Sequence, residues 1–179
     1  MRRHKISFLL IVLITFTFSC KKKNTEESSE SKYSFRNNFE NVLGWNYSAK
    51  VLKMEGHSGN YVTYVDTNQI YSHAFICSLD KMADVLPKKI IAKAWVLRKT
   101  ENTTGQFVAE ISNDIKGISW IGVKLKEVVP QINVWTEVKI EIPLETPEVQ
   151  NKNNTFKVYG WLGDSKEVIY FDDFEILLE

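Results

Sequence analysis

The sequence predicts an all-β fold, a β-sandwich of about eight to ten antiparallel strands. From Tyr33 to Glu179, apolar and polar residues alternate with a period of two instead of the helical period of 3.6. Short clusters of Gly, Asn, Asp and Ser, which favour turns, interrupt this alternation repeatedly. Many short strands separated by such turns are typical of a sandwich, in which two sheets bury one face each.

The individual strands follow from this alternation. Val138, Ile140 and Ile142 are predicted to point inward, because charged residues separate them. One helical turn is predicted between Leu79 and Leu86, ended by Pro87. Cys77 lies in an apolar run, where a thiol packs in a core more often than it acts as a nucleophile. The predicted strands cover residues 61–65, 90–97, 107–111, 119–125, 135–143, 156–162 and 168–176.

The composition restricts the function before any motif is considered. The chain has 179 residues, of which 44% are hydrophobic and 25% charged, which suits a single core. The formal net charge of +1 argues against a nucleic-acid partner. Two cysteines and three histidines are too few for a disulfide scaffold or a Cys/His metal cluster.

The N-terminus has the features of an export signal. A basic head containing Arg2, Arg3 and Lys5 precedes the apolar run Ile6–Phe18, which is too short to span a bilayer. Ser19 and Cys20 follow, and a small residue before a cysteine resembles the lipobox of bacterial lipoproteins. The resemblance implies cleavage after residue 19 and lipidation of Cys20, which would attach the chain to a membrane. An ordinary signal peptide cut nearby, or an uncleaved anchor, is the alternative.

Residues 20–32 are predicted to form a polar tether between the lipid and a folded domain at residues 33–179. Residues 21–32 contain no apolar side chain, so they cannot bury enough surface to fold. Lys21 directly after the cysteine resembles outer-membrane sorting, and the later Glu26, Glu27 and Glu30 resemble a Bacteroidetes-like surface-export signal. The predicted location is therefore the outer membrane or the cell surface. The folded domain keeps sixteen basic and nineteen acidic residues.

Six short sequence motifs follow one another along the predicted domain and serve as landmarks. Together they resemble carbohydrate-binding modules of the jelly-roll, galactose-binding-domain-like type, and the resemblance covers residues 35–178. It implies a jelly-roll sandwich that binds polysaccharide or oligosaccharide. The landmarks are Asn38-Phe39-Glu40, Trp45, the turn Gly56–Gly59, Ala94-Trp95-Val96, the strand from Trp135 to Pro143, and Tyr170–Phe174.

The resemblance also implies a structural calcium ion that ties the first strand to the last. Its implied ligands are Glu40 and Asp172, with Ser58 and other oxygens of the turn completing the shell. Asp172 is predicted to share a strand face with Tyr170, Phe174 and Ile176, and a carboxylate on an apolar face needs a cation or several donors. The opposite face of the same predicted strand is apolar too. In the alternative, Asp172 and the next residue accept hydrogen bonds without any metal.

Four aromatic residues are candidates for sugar binding, because aromatic rings pack against the C–H faces of sugars. Trp95 shares its predicted strand face with a lysine, and so do Tyr159 and Trp161, which indicates partly wet faces. If these strands belong to one sheet, the three rings line a shared concave surface that Trp120 joins. In the alternative, the rings cover the edge of the core. Trp45 and Trp135 are predicted as core residues.

Catalysis is not predicted. Asp172 and Asp173 are adjacent on a predicted strand, so their carboxylates should point to opposite faces and cannot act as an acid–base pair. Neither His57 nor His73 has a nucleophile at a recognisable spacing. We therefore predict a non-catalytic carbohydrate-binding lipoprotein at the outer membrane or cell surface. The alternative is a module that binds a surface protein, or is structural, on the same sandwich.

Overall fold

A computed structural model describes residues 33–42 and 50–179, and all structural statements below refer to them. The predictions for the export signal, Cys20, the tether and Trp45 fall outside these residues. The elements are β1 Tyr33–Asn37, β2 Val51–Lys53, β3 Tyr61–Val65, β4 Phe75–Ser78, α1 Leu79–Met82, β5 Lys89–Arg98, β6 Gln106–Ser112, β7 Gly117–Lys124, α2 Leu125–Val128, β8 Thr136–Pro143, β9 Thr155–Trp161 and β10 Ile169–Leu178.

The strands form two antiparallel sheets, so the predicted all-β jelly-roll sandwich is confirmed. The six-strand sheet has the order β2-β3-β10-β5-β8, with β1 also paired to β10. The four-strand sheet has the order β4-β9-β6-β7. Strand β10 pairs with β5 along one side and with β3 and then β1 along the other. This single strand therefore joins the first and last parts of the domain.

The core lies between the two sheets. Val138, Ile140 and Ile142 are buried as predicted, and the charged residues between them are exposed. Phe107 of β6 and Phe171 of β10 face each other across the sandwich, with ring centroids 6.4 Å apart. The alternation identifies the inner face wherever only one face of a strand is buried.

The alternation fails in β10, where a β-bulge shifts the register. Asp172 pairs with Trp95, but Lys93, two residues earlier on β5, pairs with Glu175, so β10 contains one extra residue. Ile169 and Phe171 point inward before the bulge, and Phe174 and Ile176 point inward after it. The prediction that Asp172 shares a face with Phe174 and Ile176 is therefore wrong.

Three smaller predictions have clear outcomes. The helical turn is present, although α1 is only four residues long. Cys77 packs against the core as predicted, and burial raises the pKa of its thiol. The prediction that Trp135 is a core residue is wrong. Trp135 lies two residues before the outward-facing Glu137 and points to the same outer side, where its ring centroid is 6.5 Å from that of His57.

Among the described residues, no helix has the length and apolarity needed to cross a membrane.

Gly160 tests how tightly the two sheets are packed. A Cβ atom on this residue would lie closer than 3.0 Å to the buried ring of Phe171, which has no room to move. We expect Gly160→Ala to lower the free energy of unfolding by about 1–3 kcal/mol, as overpacking does. Urea denaturation of the full chain measures it.

Gly117→Ala is the matched control, because nothing lies within 4 Å of the Cβ position at that residue. Its denaturation midpoint should stay close to that of the wild type. Equal midpoints for the two variants would contradict the packing described here.

Candidate functional site

Aromatic side chains cluster on the outer face of the four-strand sheet. We call Tyr71, Trp120, Tyr159 and Trp161 the aromatic face. Alternation puts Tyr159 and Trp161 on the side of β9 opposite the buried Phe156 and Val158. Trp120 comes from β7 and is 50% exposed, and Tyr71 precedes β4 and is 44% exposed. Three of the four predicted sugar-binding aromatics thus share one surface, which the structure leaves open to solvent.

The rings support one another through edge-to-face contacts. The ring centroids of Trp120 and Trp161 lie 6.3 Å apart at 84°, and those of Tyr71 and Tyr159 lie 5.6 Å apart at 82°. Val108, which lies opposite Tyr159 on the neighbouring strand, is fully buried although it points to this outer face. The rings therefore cover the centre of the sheet and form a continuous apolar surface.

Gly122 determines where the Trp120 ring lies. The two residues share a face of β7, and a Cβ atom on Gly122 would lie closer than 3.0 Å to the six-membered ring of Trp120 and to Gln106 Oε1. Without that Cβ, the indole extends back along its own strand. This position brings the indole within contact distance of Trp161.

A polar network lies beside the rings, and the sequence analysis missed it. Trp120, Glu110 and Lys157 occupy one row across β7, β6 and β9. Lys157 Nζ donates to Glu110 Oε1 at 3.1 Å, and the Tyr159 hydroxyl donates to Glu110 Oε2 at 3.0 Å. Burial and the hydrogen bond to Glu110 raise the pKa of Tyr159 to about 12. The Tyr159 hydroxyl therefore stays protonated and fixed at any physiological pH.

Trp95 lies elsewhere, on the outer face of the six-strand sheet. The prediction that Trp95 and Lys93 share one face of their strand is confirmed. However, β5 lies between β10 and β8, whereas β9 lies between β4 and β6. The expectation that Trp95, Tyr159 and Trp161 line one surface is therefore wrong, because their strands belong to different sheets. The Trp95 ring stacks instead on His57, with centroids 3.6 Å apart and planes at 8°.

The β10 bulge brings both aspartates to the same turn. Ser58 N–H donates to Asp172 Oδ2 at 2.9 Å, and the Ser58 hydroxyl donates to Asp173 Oδ1 at 2.6 Å. His57 Nδ1 lies 2.6 Å from Asp173 Oδ2. Asp173 has a φ of 46°, which turns its side chain toward the side that Asp172 also faces. The prediction that the two carboxylates point to opposite faces is therefore wrong.

Asp172 is a fully buried carboxylate. Burial raises its pKa to about 6, and the N–H groups of Ser58 and Asp173 oppose that rise by donating to its two oxygens. Gly56 permits this arrangement, since a Cβ there would lie closer than 3.0 Å to Asp172 Oδ2. The turn thus supplies the donors that a buried carboxylate requires.

The predicted calcium ligands surround the same turn. Glu40 Oε1 accepts hydrogen bonds from the N–H groups of Asn60 and Tyr61, both at 2.7 Å. These two carboxylates and the turn carbonyls are oxygen ligands of the kind calcium prefers. Backbone N–H groups nevertheless already donate to Glu40 Oε1 and to both oxygens of Asp172. Within residues 33–42 and 50–179, no three His, Cys, Asp or Glu side chains are grouped to hold a metal. Calcium therefore stays a prediction.

Comparison with known proteins supports the fold. No protein-family model and no curated protein matches the sequence. The CBM22-2 xylan-binding domain of Paenibacillus barcinonensis Xyn10C is 12% identical with a TM-score of 0.51, over 81% of this chain and 99% of that one. The CBM22-1-CBM22-2 tandem domain of the same protein is 14% identical with a TM-score of 0.56, over 86% and 51%.

A third similar structure comes from another organism. The C-terminal family 22 carbohydrate binding module of Clostridium thermocellum Xyn10B is 13% identical with a TM-score of 0.52, over 83% of this chain and 95% of that one. At these identities the likeness establishes the fold alone. This chain therefore shares the jelly-roll sandwich of carbohydrate-binding modules.

The raised pKa of Asp172 predicts a dependence of stability on pH. Between about pH 4 and pH 6 the unfolded chain releases the Asp172 proton, whereas the folded chain keeps it. The contribution of Asp172 to stability should therefore fall as the pH rises through this window, by on the order of 2–3 kcal/mol. Urea unfolding of the wild type and of Asp172→Asn, both in chelator, measures the difference. Parallel pH profiles for the two proteins would contradict the burial of an acid at this position.

The wild type and Asp172→Asn also test whether calcium binds at this site. If calcium binds the ionised carboxylates of Glu40 and Asp172, adding it at pH 7 should raise the melting temperature of the wild type, and Asp172→Asn should lose most of that rise. Wild-type melts that are identical in calcium and in chelator would remove the ion from the site.

Proposed function

We propose that this chain is a non-catalytic carbohydrate-binding module and that the aromatic face holds the glycan. The observation that carries the proposal is the grouping of the four exposed or half-exposed rings of the aromatic face beside the Glu110–Lys157 pair on one open sheet surface. Aromatic rings pack against the C–H faces of sugars, and a carboxylate and an ammonium group bind the hydroxyl edges.

The electrostatics of the face favour a neutral glycan. The charges of Glu110 and Lys157 neutralise each other at 3.1 Å, and Lys124, on the neighbouring edge strand, is paired with Glu127 at 3.6 Å. A uronic acid placed over Glu110 would meet a second carboxylate, and the two donors beside it, Lys157 and Tyr159, are already bonded to Glu110. Because the face is open and not enclosed, we propose that it binds a segment of a polymer from the side.

The similar solved structures support the proposal and suggest a first probe. One of them is by name a xylan-binding domain and another a family 22 carbohydrate binding module, and each single module matches this chain over most of its length. Soluble xylan and xylo-oligosaccharides are therefore the first ligands to test, followed by a broad glycan array.

Two alternatives are less well supported by the geometry. A protein-binding face would be expected to be depleted in charge, whereas the aromatic face has the Glu110–Lys157 pair directly beside its rings. A glycoside hydrolase needs two carboxyl groups flanking the scissile bond. Among the described residues of this face, Glu110 is the carboxylate next to the rings, and it is held by Lys157 and Tyr159.

The aromatic pair gives the sharpest test of this function. We expect Trp120→Ala and Trp161→Ala each to weaken glycan binding about tenfold or more in the full chain, since each removes a ring from the stacking surface. Affinity electrophoresis in soluble polysaccharide, or calorimetry with an oligosaccharide, measures the loss.

Val85→Ala is the matched control, because Val85 is an apolar side chain 81% exposed in the loop after α1. It should bind as the wild type does. Wild-type affinity in both tryptophan variants, with their melting temperatures unchanged, would exclude the aromatic face as the glycan site.

The lipid anchor is the second part of the proposal. The basic head, the apolar run and Ser19-Cys20 favour a lipoprotein that displays the module at the outer membrane or cell surface. We expect metabolic labelling with a fatty acid to mark the wild-type chain and not Cys20→Ser. Labelling of the serine variant to the same extent would contradict lipidation at Cys20.

A further inference from the structure

A cavity lies on the outer face of the six-strand sheet, on the opposite side of the sandwich from the aromatic face. It has a volume of about 420 Å³, within the range of small-molecule pockets, and lies above the β10 bulge. Its walls include Asn37, Asn38, Lys93, Trp95, Glu137 and Asp173. None of these residues contributes to the aromatic face.

One wall of this cavity is a fixed aromatic surface. The His57 ring stacks on Trp95 at 3.6 Å, and His57 is in turn held by Asp173 at 2.6 Å. Asp173 itself is fixed by the Ser58 hydroxyl and by its positive φ in the bulge. Non-glycine residues in this conformation concentrate at ligand sites. A Trp ring held in this way loses little conformational entropy when a ligand packs against it.

Two amide side chains, those of Asn37 and Asn38, lie at the wall of the cavity and can offer hydrogen-bond donors. Asn37 Oδ1 accepts from Phe39 N–H at 2.8 Å, and Asn38 Oδ1 accepts from Glu40 N–H at 3.4 Å. These bonds assign the carbonyl oxygen of each amide, so the Nδ2 groups are left as donors. Among the described residues, neither Nδ2 group has a hydrogen-bond partner.

The charges of the cavity are nearly balanced. Glu175 forms ion pairs with both Arg36 and Lys93, the latter at 3.2 Å, so these two cations share one carboxylate. With Glu137 and Asp173, the residues that line the cavity carry three carboxylates against two cations. Glu137 has no ion pair within the described part of the chain and offers a carboxylate acceptor. Excess acceptor charge disfavours an anion, whereas a neutral polyol uses the amide donors and the carboxylate together.

We propose that this cavity is a second, separate binding site for a neutral mono- or disaccharide. This inference extends the proposed carbohydrate-binding function and rests on it for the class of ligand. Two sites on opposite sheets would make the module bivalent. One protein chain could then contact two glycan chains, or two parts of one bent glycan chain. Binding of the second strand then becomes intramolecular, which raises the overall avidity.

The experiment separates the two sites by combining variants in the full chain. In the Trp120→Ala/Trp161→Ala background, the indole N–H signal of Trp95 is followed by NMR during titration with xylose, glucose, galactose, mannose, cellobiose and xylobiose. We expect at least one sugar to give a saturable shift with a Kd in the millimolar range, within about twofold of that in the unaltered chain. Adding Asn38→Ala or Glu137→Gln should weaken this binding about fivefold, the loss of one hydrogen bond.

Each outcome decides the proposal. If no sugar shifts the Trp95 signal saturably, or if neither Asn38→Ala nor Glu137→Gln weakens binding in a folded protein, the second site does not exist. The two proposals fail separately. If only the cavity site is absent, the Trp95 signal does not shift but polymer still binds the aromatic face. If only the aromatic-face site is absent, Trp120→Ala and Trp161→Ala do not weaken polymer binding, but sugars still shift the Trp95 signal. Val85→Ala should change neither signal.

Discussion

The buried carboxylate of Asp172 is the constraint on which much of the arrangement depends. A fully buried acid requires donors, and the N–H groups of Ser58 and Asp173 supply them to its two oxygens. The turn containing Ser58 is thereby fixed against the bulge of β10. Strand β10 pairs with β3 before the bulge and with β1 after it, while β5 runs along its other side. The bulge therefore both orients the turn and allows inward-facing residues on each side of it to reach the same core.

The sandwich separates two surfaces with different chemistry. The four-strand sheet presents large rings beside the Glu110–Lys157 pair and is open to solvent. Contiguous exposed apolar surface of this kind is typical of interaction sites. The six-strand sheet instead presents a cavity in which Trp95 is stacked on His57 and surrounded by polar groups. The inner faces of the two sheets share the core, so the two proposed sites lie on separate outer surfaces and can be tested independently.

The sequence predicted those parts of the structure that depend on local alternation. In β8 and β9 one face is buried, so a period of two identifies Val138, Val158 and their neighbours. In β10 strict alternation would put apolar residues on both faces, and one extra residue at the bulge reverses the phase, which no local pattern reveals. Strand order is not local either, so Trp95 was assigned to the wrong surface. The Glu110 network was missed because its partners are 47 and 49 residues away, although a glutamate inside the apolar run of β6 was a usable signal.

A chemical-shift map of the full chain with a bound oligosaccharide tests the central claim most directly. The ligand is the oligosaccharide that binds best in a glycan array, with xylo-oligosaccharides included. The account predicts that the largest saturable shifts fall on Trp120, Tyr159 and Trp161 and on the strands that carry them. The absence of binding to any glycan, or saturable shifts that leave these three residues unchanged, would contradict it.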